Sequence, residues 1–199
     1  DGTGDYLSIP DSANWELGNG SFTIEFWVRF NSVPGAGSYA ALVSQRDTAT
    51  SNNAFTCWYG GTEKFYFSYT TDGTTQVSIT GITSTTPSTG QWYHLAWVRS
   101  GSSFDLYIDG TKQTTKSIGT ASLYNSTSVL RIGATNSTPA FFLNGWLDDI
   151  RITKGVARSI TAAPTEAFPD YREVPGTGAL ASAVAVIAGT GAIQGDRTG

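Results

Sequence analysis

Charge is what this chain has least of. Only 14% of its 199 residues are Asp, Glu, Lys or Arg, against about 25% in an ordinary globular domain. No run of Lys and Arg occurs, and the net charge is -4 with a pI near 4.8. A nucleic-acid partner is therefore not expected, because holding one means neutralising phosphates. Cysteine is nearly absent, and the single Cys57 rules out an intramolecular disulfide and a small stapled scaffold. One His and one Cys are too few ligands for an ordinary transition-metal centre. No apolar stretch approaches the roughly 18–20 residues of a membrane helix, so insertion by such a helix is not expected. Methionine is missing altogether and no leader-like segment opens the chain. The expectation is a processed N-terminus or a piece of something longer, and the low-complexity end favours the piece.

What is abundant is aromatic and small polar. Aromatic residues make up 13% of the chain, with six Trp, which is enough to fill a sizeable core. Ser, Thr, Gly and Asn take the place of charge at the surface, the habit of extracellular, cell-surface and virion β-proteins. In residues 21–30, Phe22, Ile24, Phe26, Val28 and Phe30 share one face while Thr23, Glu25, Trp27 and Arg29 share the other, the period of a half-buried strand. Phe65, Phe67 and Tyr69 alternate likewise, and Asp72-Gly73 turns the chain toward residues 76–79. Residues 91–99 are apolar on both faces, which places that strand mid-sheet and covered on both sides. Phe104, Leu106 and Ile108 lead to an Asp109-Gly110 turn, and residues 112–116 return as a polar edge strand. Residues 129–132 and 146–152 complete the set. No window carries helical periodicity. The fold class is all-β, a two-sheet antiparallel β-sandwich of the jelly-roll kind.

Composition shifts near residue 172. Residues 1–172 are read as the jelly-roll domain, and residues 173–199 as a Gly/Ala/Val-rich tail or inter-module connector. Gly176-Thr177-Gly178-Ala179-Leu180 recurs as Gly189-Thr190-Gly191-Ala192-Ile193, and residues 181–188 read as a strand whose side chains are too small to build a core. Such a tail would link to another module or order itself by pairing with other chains.

Four segments together resemble the laminin-G-like jelly roll of the concanavalin A-like lectin and glucanase group. They are Asp1-Gly2-Thr3-Gly4-Asp5-Tyr6-Leu7, Phe22-Thr23-Ile24-Glu25-Phe26-Trp27-Val28, the pair Trp92-Tyr93-His94-Leu95-Ala96-Trp97-Val98-Arg99 and Leu106-Tyr107-Ile108-Asp109-Gly110, and residues 145–158. The first resembles a segment that in the family follows one further strand, missing here. The exit Arg151-Ile152-Thr153-Lys154-Gly155-Val156-Ala157-Arg158 is similar to versions found in bacteriophage virion proteins, and the Gly-Thr-Gly-Ala repeats to spacers between their modules.

The resemblance raises three kinds of chemistry. Some enzymes of the group are glycan hydrolases, which need two carboxyl groups about 5–9.5 Å apart on one sugar. Asp148 and Asp149 are sequence neighbours, so an unbroken strand points them to opposite faces. Asp109 belongs to a turn and Glu25 stands alone, so no acid/base pair is found and the chain is expected not to be an enzyme. His94, inside an apolar strand, reads as a hydrogen-bonded core or inter-sheet residue rather than a base. Calcium is the cofactor the resemblance implies, held where the first segment meets the last strand, with Asp5 and Asp148 or Asp149 as ligands. Asp149 has the alternative of pairing with Arg151 or capping local backbone. Carbohydrate binding needs aromatic faces beside polar groups, and Trp58, Tyr59, Trp15 and Tyr39 are the candidates, core packing being the competing fate. The resulting expectation is a non-catalytic virion module of a phage fibre, tail appendage or capsid decoration. It would contact other virion proteins, copies of itself and host-surface glycan. A bacterial extracellular or cell-surface adhesion module is the alternative, and a glycan hydrolase the next.

Overall fold

The computed structural model describes residues 1–62, 64–80 and 85–168, together with the backbone of Val184–Ile187. The described residues form β1 (Leu7–Ile9), β2 (Phe22–Phe30), β3 (Tyr39–Gln45), β4 (Phe55–Gly60), β5 (Lys64–Tyr69), β6 (Val77–Ile79), β7 (Trp92–Ser100), β8 (Ser103–Ile108), β9 (Thr111–Lys112), β10 (Lys116–Ser117), β11 (Leu130–Ile132), β12 (Gly145–Lys154) and β13 (Val184–Ile187). A single 3₁₀ turn, Ala13–Trp15, is capped by the Ser12 hydroxyl, which accepts the Asn14 N–H.

Two antiparallel sheets result. The first has the order β1-β11-β3-β4-β5-β6, and the second β10-β8-β7-β2-β12-β13, with β9 also on β8. The alternation read in β2 is the reason they pack. Phe22, Ile24, Phe26, Val28 and Phe30 are all fully buried; they meet Tyr59, Phe65 and Phe67 from the facing sheet and Phe104 from β8 of their own. Each such ring withdrawn from water contributes about 1.5–3 kcal/mol, so the aromatic rows supply the core that the charge-poor surface cannot. β7 lies between β2 and β8 and is buried along nearly its whole length, as its two-sided apolar pattern predicts.

One expectation is corrected. The polar face of β2 is not half-exposed: Thr23 and Glu25 are as buried as the core residues. The cause is residues 155–168, which fold back as a strap over the outer face of the second sheet. The Thr23 hydroxyl donates to the Val156 carbonyl at 3.0 Å and accepts the Arg158 N–H at 2.9 Å. Further along, the backbone at Ala162 passes so close to the β8–β9 turn that a Cβ on Gly110 would stand 2.3 Å from it. Gly110 therefore serves both the turn (φ +78°) and the crossing.

Val184–Ile187 runs antiparallel to β12, pairing Ile150 with Ile187 and Thr153 with Val184. It falls inside the stretch read as a strand. The rest of the proposed 173–199 connector lies outside the described residues.

Candidate functional site

The four candidate aromatics part company. Trp15 (5% exposed) and Tyr59 (1%) point into the sandwich and belong to its main core, so neither offers a ring to a ligand. Trp58, one step before Tyr59 on the pleat, faces outward from the first sheet, where it forms a separate cluster with Ala41 and Tyr66. Its own exposure is only 3%, because other rings cover it. Tyr66 stacks on it at 6.0 Å with planes 10° apart. Tyr39 and Phe141 stand edge-on to it at 6.3 and 5.4 Å, and they are the rings that reach solvent, at 38% and 42% exposure. The indole N–H donates to the Ser68 hydroxyl at 2.8 Å, which fixes the ring plane.

Backbone geometry holds this group in place. Phe141 sits at φ +54°, a conformation costly for a bulky residue, and its carbonyl accepts the Ala41 N–H at 2.9 Å. Gly60 leaves room for the Tyr39 ring, since a Cβ there would lie 2.7 Å from it.

Beside the rings the same face turns polar. A shallow depression of about 40 Å³ is lined by Arg46, Thr48, Asn53, Thr56, Ser68 and Gln76 among others, and none of its lining residues is acidic. Arg46 joins the two regions, its guanidinium lying 5.4 Å from the centre of the Trp58 ring. Burial draws that guanidinium below its usual value, with the Tyr66 phenol acting the other way. The Asn53 side-chain oxygen is buried without a hydrogen-bond partner among the described residues.

Phe141, Tyr66 and Arg46 are absent from the sequence-based candidates. Tyr66 was findable, because period-2 alternation with Phe65 and Phe67 inward puts it outward. Phe141 and Arg46 were not, since loop and strand meet only through the fold.

The acidic candidates fall in different sheets. Asp5 is 75% exposed and pairs with the amino terminus at 3.1 Å, beside the edge strand β1 of the first sheet. Asp148 and Asp149 lie on β12 in the second sheet. No group of three or more His, Cys, Asp or Glu suited to a metal occurs among the described residues, whereas calcium requires six to eight oxygens. The argument that Asp148 and Asp149 point to opposite faces assumed an unbroken pleat. A bulge interrupts the pairing with β2 between Asp148 and Arg151, and Asp149 adopts φ +48° with its N–H donated to the Asp148 carboxylate at 2.9 Å. Asp148 is thus the residue that caps local backbone.

Arg151 turns to Glu25 instead. Its Nε and a terminal nitrogen donate to Oε1 at 2.9 and 2.8 Å, Arg158 from the strap approaches the same oxygen at 3.2 Å, and His94 Nε2 lies 3.4 Å from Oε2. Phe168 closes the cluster, its ring 3.6 Å from the Arg151 guanidinium. Burial works to raise the Glu25 carboxyl, but His94 and Arg151 outweigh it and hold the group below its usual range. His94 is fully buried, in the outward-facing row of β7 rather than between the sheets. With both arginines committed to it and the strap above, Glu25 secures structure and does not face a substrate.

No curated protein matches the chain. Solved structures of similar fold do. Domain 4 of a GH43 extracellular arabinanase from Geobacillus stearothermophilus, in complex with arabinotriose, superposes with a TM-score of 0.55 at 16% identity, covering 77% of this chain and 68% of that one. A putative carbohydrate binding protein from Bacteroides ovatus gives 0.58 at 15% identity, covering 80% and 44%. The binding domain of botulinum neurotoxin serotype G gives 0.57 at 16%, covering 78% and 38%. The chain thus spans about two thirds of the first and about two fifths of the other two, and at these identities the likeness is one of fold. Residues 1–159 match the profile of a family described as the concanavalin A-like lectin/glucanases superfamily, and the chain belongs to that superfamily.

Proposed function

We propose that this domain is a non-catalytic glycan-binding module, and that its binding surface is the outer face of the first sheet around Tyr39, Phe141 and Trp58. The observation that carries the reading is the pair of half-exposed rings raised on a buried indole next to a groove of hydroxyl and amide groups. Sugar recognition needs apolar surface for the ring faces and a few fixed polar groups for the hydroxyls. The shallowness of the depression supports binding across a surface rather than enclosure in a cleft, and the lack of an acidic lining residue speaks against acid/base hydrolysis there. The carbohydrate ligands or names of two structural neighbours agree with this reading.

The module is further proposed to belong to a phage virion protein, on the likeness of residues 151–158 and the Gly-Thr-Gly-Ala repeats to such chains. Its partners would then be other virion proteins, and its target host-surface glycan.

A glycan array probed with the wild type, Tyr39→Ala and Phe141→Ala tests the first reading. Binding lost in both variants, with folding intact, is the expected result; a wild type that binds no glycan overturns it. Release of reducing ends from a polysaccharide would overturn the non-enzymatic part. Peptides of this chain in purified phage particles, detected by mass spectrometry, are expected on the virion reading, and their recovery only from bacterial envelopes would refute it.

A further inference from the structure

The groove beside the aromatic rings carries one charge. Arg46 is the only ionisable cation or anion lining it apart from the Tyr69 phenol, and among the described residues no carboxylate pairs with its guanidinium. Its sequence neighbour Asp47 faces elsewhere, accepting the Thr50 and Ser137 hydroxyls and the Ala49 N–H. Among the described residues Arg29, Arg99 and Arg131 also lack a carboxylate partner, so what sets Arg46 apart is that it lines the groove. Arg151 and Arg158 are committed to Glu25, and Arg99 donates to the carbonyls of Gly18, Gly101 and Gly119. Arg46 lines the groove with its guanidinium over the Trp58 ring, and no carboxylate among the described residues occupies its donors.

Size points the same way. A depression of about 40 Å³ admits a carboxylate-sized group. A sugar resting against Tyr39 and Phe141 could direct such a group past Trp58 to Arg46, where a bidentate pair would offset the solvation that burial has removed. Hydroxyls next to the carboxylate would meet Thr48 and Gln76.

We infer that the site selects anionic saccharides, uronates or sialates, through a carboxylate held by Arg46. The inference rests on the glycan-binding reading and narrows it.

The test titrates the protein with saccharides in matched acidic and neutral forms: oligogalacturonate against its methyl ester, sialyllactose against lactose, and hyaluronan fragments against chito-oligosaccharides. At least one acidic member is expected to bind ten-fold or more tightly than its neutral partner, with the preference falling as salt rises. Arg46→Gln removes the preference while leaving weak, form-independent binding. Arg46→Lys keeps the charge but not the fork and retains only part of it, which also guards against loss of folding in the glutamine variant. Equal affinity for the two forms, or binding of neutral members alone, overturns the inference and leaves the glycan-binding module standing. Binding of no member, acidic or neutral, here or on the array, overturns both.

Discussion

The Phe141 ring stands edge-on to the Trp58 indole, 5.4 Å away with planes 85° apart, so that a loop residue and a strand residue form one surface. Phe141 supplies exposed area and Trp58 supplies the floor. Their substitutions therefore have different consequences.

Phe141→Ala removes a half-exposed ring and is expected to cost about 0.5–1.5 kcal/mol of stability, a fall of a few degrees in Tm. Glycan affinity should drop about ten-fold, the usual scale for truncating an aromatic anchor. Trp58→Ala empties a buried site and should cost about 3–5 kcal/mol, abolishing binding through collapse of the rings above it. Thermal melts with binding titrations separate the two.

Two adjacent glycines give a sharper contrast. A Cβ on Gly60 meets the Tyr39 ring at 2.7 Å, and that ring can swing into solvent. A Cβ on Gly61 meets the Gly35 carbonyl oxygen at 2.0 Å, which is backbone and cannot. Gly60→Ala is expected to weaken glycan binding with little change in Tm, whereas Gly61→Ala lowers Tm by several degrees. Equal thermal effects would contradict this placement of Tyr39.

The Glu25 cluster sets a pH dependence. Its carboxyl is held below the usual range despite burial, so its contribution is complete above the unfolded-state value near 4.5 and is lost as pH falls through the folded one. Glu25→Gln strands two arginines and should destabilise by about 3–5 kcal/mol at neutral pH. The gap between wild type and variant should narrow below about pH 4.5, and denaturant melts across pH 3–7 measure it. A gap that widens on acidification would reverse the sign of the interaction.

Cys57 is fully enclosed, and burial raises its thiol well above the ordinary value. A thiol reagent such as iodoacetamide should leave the native protein unmodified and label it once denatured, because the thiolate is the reactive form. Chelator is expected to leave Tm unchanged, since a native-state metal would raise stability and no group of three acidic, His or Cys side chains suited to one occurs among the described residues.

Much of the sandwich was legible where one strand carries one period. The inward row of β2 and the two-sided β7 follow directly from alternation. β3 was missed because Tyr39-Ala40-Ala41-Leu42-Val43 shows no alternation, and the reason is a register shift between Ala41 and Val43. The same kind of irregularity defeated the argument about Asp148 and Asp149. Trp58 and Tyr59 were named together, yet which of them faces outward is decided by the register of β4 against Ala40 and Ala41. Glu25 looked solitary because its partners stand 69, 126 and 133 positions away, at His94, Arg151 and Arg158. Contacts at that separation leave no local pattern.

The strap has a mechanical meaning. Beyond β12 the chain is fastened at Thr23 and Glu25, on a strand flanked on both sides within its sheet. Tension that reaches the strap past Arg158, once the edge pairing of β13 with β12 has given way, is met by those bonds and passed to the middle of the sheet. An outer strand pulled at its end unzips one ladder bond at a time, but a load delivered to β2 must shear several at once. A module placed at the end of a tether and pulled by whatever it grips would be well served by that anchorage.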